Sequence, residues 1–263
     1  EADYGVFYID ALTYQPMCGA GTLSVAKVLV ETGMVKRVEP ETKIVLETPT
    51  GLVTVYVKWE NHMVASINLE NVPAFLYRKE LHIDLAGYGD VSVDIGYGGN
   101  FFVLADVHSL GLTITKDTVN LLRSLSKDIL AAANKVIKVA HPTNPAINYL
   151  DQVLFCQNVP EEDGGYLAQC IFGDAQADIS PCGTGTSTRL AQRYFRGLIG
   201  LEETFVQKSV CGGAFHAKGL RETTLGGVPA IVPYVSCSDV HITGFNHLIV
   251  EENDKLKNGF VSW

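Results

Sequence analysis

The sequence predicts an α+β protein assembled from two similar halves. Three observations carry that expectation. Most of the chain alternates apolar and polar residues at strand spacing, only three stretches read as helices, and two of those helices open on the same five-residue pattern. In order, DYGVFYID at 3–10 reads as strand. A first helix follows Cys18 and stops at Gly33. KIVLETPTGLVTVYVKWENHMVASINL at 43–69 reads as three strands, with turn signals at Pro49–Gly51 and Glu60–His62. AFLYRKE at 74–80 reads as a linker, and ELHIDLAGYGDVSVDIGYGG at 80–99 as further strand. From about Asp117 to Lys138 the apolar residues Val119, Leu122, Leu125, Ile129 and Ala133 recur at helical spacing. NYLDQVLFCQNV at 148–159 and VPAIVPYVSCSDVHITGFNHLIVEE at 228–252 read as strand. Between them a third helix follows Cys182 and stops at Gly197.

With 263 residues, 47% of them hydrophobic, the chain can bury a substantial core. No apolar run reaches the ~18 residues of a membrane span. A net charge of −9 argues against nucleic acid, whose binding rests on neutralising phosphates, and against anionic membrane surfaces. The first residue is Glu1 and strand pattern follows at once, so upstream residues are expected to be missing; no signal peptide is visible. Of the six cysteines, Cys156, Cys170, Cys211 and Cys237 read as small core hydrophobes rather than as disulfide partners. Neither a C-x-x-C pair nor a Cys/His cluster at zinc spacing exists, so no metal site is expected.

The repeat is the decisive feature. CGAGTLSVAKVLVETG, Cys18 to Gly33, matches CGTGTSTRLAQRYFRG, Cys182 to Gly197, in length, in its opening and in a closing glycine suited to a helix C-cap. Each half thus offers one thiol at one helix N-terminus. The first turn of a helix has unpaired N–H groups and a partial positive charge, and its glycines let a ligand approach closely. A carboxylate between two such ends would be held from both halves. The same field is expected to lower the pKa of the adjacent thiols toward neutrality. Two thiols flanking one ligand suit removal of a proton from one face of a carbon and return of another to the opposite face. Asp178, four residues before Cys182, adds a carboxylate.

Other chemistries fit less well. GAGTLS lacks the third glycine and the later acidic residue of a dinucleotide fingerprint, and no P-loop lysine follows either glycine run. A Cys–His hydrolase would draw on His108, His141, His216 or His247, yet no nucleophile signature surrounds any of them. For either cysteine alone, a tight strand-to-helix turn with an inert buried thiol is the better reading. For the matched pair it is not.

MCGAGT at 17–22 and DISPCGTGTS at 178–187 resemble the two signatures of the proline racemase family, which includes hydroxyproline epimerases and 3-hydroxyproline dehydratases. The resemblance extends through DYGVFYID, NVPAFLY, GYGGNFF, IFGDAQAD and ITGFNHLIVEENDKLKNGF; the family's HTxGEP-like opening has no counterpart here. It implies a diaminopimelate-epimerase-like fold, two pseudo-symmetric domains each wrapping strands around a central helix. The first domain would comprise 1–77 with 241–263, and the second 84–236. It also implies cofactor-independent, metal-free inversion at the α-carbon of proline or hydroxyproline, with Cys18 and Cys182 as the acid–base pair. The N–H groups of Gly19, Ala20, Gly183 and Thr184 would hold the substrate carboxylate, Asp178 would face the amine and Phe172 would wall the ring pocket.

Two cysteines separate racemases and epimerases from the similar dehydratases, which put Thr or Ser in place of one thiol. The chain departs from the family pattern where Ala20 replaces the usual His. Gln15 stands where proline-specific members carry an apolar residue and points to a polar substrate, whereas Phe172 favours unsubstituted proline. The expected partner is therefore a small amino acid, with a cytoplasmic location and a homodimer admitted. The alternatives are a catalytically weak amino-acid-binding relative, which Ala20 favours, and a dehydratase-type lyase.

Overall fold

The computed structural model describes residues 1–10, 13–246, 249–255 and 257. The first half contains the short strands β1 (Tyr4–Gly5), β2 (Tyr8–Ile9) and β3 (Tyr14–Gln15), then helix α1 (Gly19–Glu31). Three long strands follow, β4 (Glu41–Thr48), β5 (Gly51–Glu60) and β6 (Met63–Glu70). Both turn signals fall at the joints between them. At the second joint Asn61 and His62 both have positive φ, 49° and 64°, the conformation that a two-residue hairpin matching strand twist requires.

The second half opens with β7 (Phe75–Leu85), β8 (Gly89–Tyr97) and β9 (Phe101–Asp106), then a short 3₁₀ turn at His108–Leu110 and helix α2 (Val119–Val136). The strands β10 (Gln152–Cys156), β11 (Tyr166–Phe172) and β12 (Gln176–Ala177) lead into helix α3 (Gly183–Phe195). β13 (Phe205–Lys208), β14 (Ala214–Leu225) and β15 (Val228–Cys237) complete it.

Twelve strands form one continuous path, β1-β4-β5-β6-β15-β14-β13-β11-β10-β9-β8-β7, with β12 beside β11, while β2 and β3 pair separately. The halves meet where β6 lies antiparallel to β15, with Leu69 opposite Val235 and Ile67 opposite Cys237. β4, β5 and β6 each turn one face inward. Ile44, Leu46, Val55, Val57, Ile67 and Leu69 are fully buried together with Leu23 and Ala26 of α1. α3 is more deeply enclosed: all of Gly183 to Ala191 is buried. Its Arg189 has no exposed surface; the guanidinium donates to the carbonyls of Leu167 and Gln157 and sits 5.4 Å from the rings of Tyr166 and Phe205.

Three expectations need correction. Residues 75–80 are no linker: they open β7, which pairs with β8, and Ala74 already bridges to Ile231. The charged run Arg78–Glu80 belongs to an outermost strand of the sheet, where one side has no strand partner and charge is tolerated. After Cys237 no strand follows among the described residues; His247 and most of 256–263 lie outside them. Cys211 is exposed, not core. All six cysteines are free.

Candidate active site

The N-terminal ends of α1 and α3 meet at Gly19 and Gly183. A Cβ added to Gly19 would lie 2.7 Å from the Gly183 Cα, and one added to Gly183 would lie 2.7 Å from the Gly19 Cα. Only glycine allows this approach. Cys18 and Cys182 are the N-cap residues of the two helices, and each thiol accepts an N–H bond at 3.3 Å, from Gly21 and Gly185 respectively. Those bonds use the third N–H of each first turn. The helices supply no acceptor for the N–H groups of Gly19, Ala20, Gly183 and Thr184. These groups and both thiols line one small cavity of about 140 Å³ with Asp178, Phe172, Gln15, Met17, Asn100, Gln152 and Cys170. Every site residue expected from the sequence is therefore in one place.

The two caps differ in their backbone. Cys18 is extended, at φ −137°, and half-buried; Cys182 has φ +65° and is 6% exposed. Positive φ at a non-glycine residue costs about 1–3 kcal/mol, and surrounding structure must hold it. Here the Cys182 N–H donates to Ser180 Oγ at 3.0 Å. Gln207 Nε2 donates to the Pro181 carbonyl at 2.7 Å and to Thr186 Oγ1 at 2.9 Å, fixing the chain on either side of the cysteine.

Burial outweighs the helix ends at Cys18. Desolvation pushes its thiol up to about 11, eased by the Gly21 N–H and raised further by charge on Cys182 and Asp178. The lowered pKa expected from the helix field is not found at Cys18, because burial penalises the thiolate more than two N–H groups favour it. Charge on Cys182 thus helps to keep the proton on Cys18. Desolvation also raises Asp178, whose Oδ1 accepts the Ser180 N–H at 2.8 Å.

Four lining residues are not expected at the site from the sequence. Asn100 Nδ2 donates to the Met17 carbonyl at 2.9 Å and to Thr184 Oγ1 at 3.4 Å, tying the two helix ends together. Gln152 Nε2 donates to Gln15 Oε1 at 2.9 Å, so the polar wall expected from Gln15 is a pair of buried amides. Met17 is buried, and Cys170, 2% exposed, faces the Cys182 thiol. Asn100 lies within GYGGNFF, one of the family-like stretches. For Gln152 and Cys170 nothing local distinguishes them from core residues.

The family model described as proline racemase matches residues 1–261. A proline racemase of Acetoanaerobium sticklandii is 38% identical over 261 residues, covering 99% of this chain and 78% of its own length. A trans-3-hydroxy-L-proline dehydratase of Burkholderia cenocepacia is 36% identical over 262 residues with the same coverage. Among solved structures, a hydroxyproline epimerase from Agrobacterium vitis with bound trans-4-hydroxy-L-proline superposes with a TM-score of 0.89 at 29% identity, over 98% of this chain and 74% of that one. The diaminopimelate-epimerase-like α+β class expected from the sequence agrees with this match.

Proposed function

The chain belongs to the proline racemase family, and from that premise we propose that it inverts the α-carbon of proline or hydroxyproline without a cofactor, using Cys18 and Cys182 as its two bases. The observation that carries this reading is a thiol at each of two helix N-termini lining one cavity. The substrate carboxylate binds the N–H groups of Gly19, Ala20, Gly183 and Thr184, where two helix ends favour negative charge. One thiolate removes the α-proton; the electron pair left on carbon delocalises into the carboxylate, whose growing charge those N–H groups stabilise. The opposite thiol then delivers its proton to the other face, and the enzyme is left with the two protonation states exchanged. Asp178 faces the amine, and Phe172 walls the ring.

Two thiols also favour inversion over dehydration, which the resemblance associates with Thr or Ser at one position. The Gln15–Gln152 amide pair supports a substrate bearing a ring hydroxyl, because buried amides reward a ligand that hydrogen-bonds to them. The same proposal includes the division into domains 1–77 with 241–263 and 84–236, a homodimer, and a cytoplasmic location. Reliance on free thiols supports the last point, since a reducing compartment preserves them. Among the described residues no helix is long and apolar enough to cross a membrane.

Incubation with L-proline and with trans-4-hydroxy-L-proline, followed by polarimetry, tests the reading. Loss of optical rotation with L-proline, or epimerisation of the hydroxylated substrate, is expected. Elimination of water from 3-hydroxyproline without inversion of either substrate would replace it with the lyase.

A further inference from the structure

Cys170 is a buried thiol inside the cavity that the two-base reaction does not use. Its Sγ, the Cys182 Sγ and a carboxylate oxygen of Asp178 lie within 4.8 Å of one another, the one such trio of potential metal ligands among the described residues. We propose that Cys170, Asp178 and Cys182 form a binding site for a thiophilic divalent cation of the zinc type, and that this cation competes with the amino-acid substrate.

The donor set selects the ion. Two sulfurs and one carboxylate suit zinc or cadmium and disfavour magnesium and calcium, which take oxygen. Tetrahedral zinc, with Zn–S near 2.3 Å, needs ligand atoms about 3.5–3.8 Å apart, so the trio, whose atoms lie within 4.8 Å of one another, has to contract by at most about 1 Å. Three protein ligands leave the fourth position open to the cavity, for water or a substrate group. Two of the three ligand side chains are already oriented from behind, and the third is tied to them through its backbone. Gly185 N–H holds Cys182 Sγ at 3.3 Å, and Ser180 N–H holds Asp178 Oδ1 at 2.8 Å. The Asp178 N–H donates to the Cys170 carbonyl at 3.0 Å, fixing the loop to β11. Such outer contacts commonly change metal affinity by about 10–100-fold.

Binding is an exchange without redox change. Two S–H bonds break, two sulfur–metal bonds form, and two protons go to solvent. The bound trio carries one net negative charge, beside the positive end of α3. Cys18 stays outside the trio. A bound cation takes Cys182 and Asp178 away from substrate, so turnover should fall and a chelator should restore it. That effect on turnover rests on the proposed racemase reading, whereas the metal site does not.

Anaerobic titration of chelator-treated protein with Co²⁺ reads the site directly, through thiolate-to-cobalt charge-transfer absorption. One equivalent should saturate the band, zinc should bleach it, and trans-4-hydroxy-L-proline should weaken cobalt affinity. Cys170→Ala and Cys182→Ala should each lower affinity by about tenfold or more and roughly halve the band. Cys170→Ser, which keeps the side chain's size, should act likewise if the alanine variant folds poorly. Cys18→Ala and Cys211→Ala should leave band and affinity unchanged. Absence of the band, an undiminished band with unchanged affinity in both Cys170 variants, or its loss with Cys211→Ala would overturn the site. Cobalt affinity indifferent to the amino acid would overturn the competition. A band that behaves as expected in a protein that inverts neither substrate would uphold the metal site and reject the racemase reading.

Discussion

Cys18 and Cys182 cap helices of thirteen residues each, and each thiol accepts the N–H three residues on at 3.3 Å. Around them the two halves diverge. α1 turns apolar Leu23, Ala26, Leu29 and Val30 into its core, while α3 buries Thr184, Thr186, Ser187, Thr188 and Arg189. Cys18 is half-buried on an extended backbone; Cys182 is enclosed, has positive φ, and belongs to a close trio with Cys170 and Asp178. The shared part is the backbone, which presents N–H groups to a carboxylate from both halves. The divergent part is the side chains, which give each thiol its own surroundings. Duplication supplies the cradle, and divergence sets the chemistry around each base.

The largest effect should come from breaking the symmetry at the thiols. Cys18→Ala and Cys182→Ala should each reduce racemisation by at least about 10³-fold, within the range of a lost acid–base group. Circular dichroism should show a retained fold. Near-normal turnover in either variant, measured by polarimetry, would remove the two-base reading.

Forcing the two helix ends apart should cost less. Gly19→Ala or Gly183→Ala puts a methyl 2.7 Å from the facing Cα, which only backbone movement can relieve. Overpacking of this kind costs about 1–3 kcal/mol, and a displacement near 1 Å at the site can lose about 10²-fold in kcat. Thermal melts and kinetics should both register it. Unchanged stability with full activity would show that the contact is not needed.

The ionisation of Cys18 sharpens the comparison. With its thiol near pKa 11, on the order of one part in a thousand is thiolate at pH 8, about a hundredfold less than at a pKa of 9.0. Thiolate is the reactive form, so alkylation of Cys18 in the ligand-free protein should rise about tenfold per pH unit, and level off only near pH 11. Mass mapping after iodoacetamide treatment at pH 7 should find exposed Cys211 modified before Cys18. A plateau for Cys18 below pH 8 would mean that the helix field prevails over burial.

A smaller effect is expected at Ala20, which lies between the thiol cavity and a neighbouring cavity of about 480 Å³. An imidazole there has space beside Ser180 and Pro181. Ala20→His should raise kcat by about tenfold with little change in KM, the pattern of a contact made mainly in the transition state. Abolished activity would mean that Ala20 makes room for a larger substrate.

The sequence makes this backbone framework legible because helix starts, hairpin turns and the Cys-Gly-x-Gly-Thr repeat are local patterns. Cys18, Gly19, Ala20, Gly183 and Thr184 follow from that repeat, and Asp178 and Phe172 from the resemblance around it. Local pattern cannot say which buried strand residue faces a cavity. Cys170, flanked in β11 by buried Gln169 and Ile171, reads as core, and only the approach of β11 to the start of α3 reveals a third thiol. Gln152 likewise gains meaning from Gln15, which is 137 residues away. Cys211 misleads in the opposite direction, since its small apolar character says nothing of an exposed turn. The pKa of Cys18 was also beyond reach, because desolvation depends on everything that encloses the thiol.

The central claim is that the thiols work from opposite faces of one α-carbon. Turnover of L-proline, or of trans-4-hydroxy-L-proline if that is the substrate, in D₂O under initial-rate conditions tests it most directly. With two bases, the inverted product should carry deuterium at the α-carbon while the remaining substrate stays unlabelled, as read by mass spectrometry. Deuterium entering the recovered substrate as fast as the product would mean that a single base serves both faces, and would contradict the account.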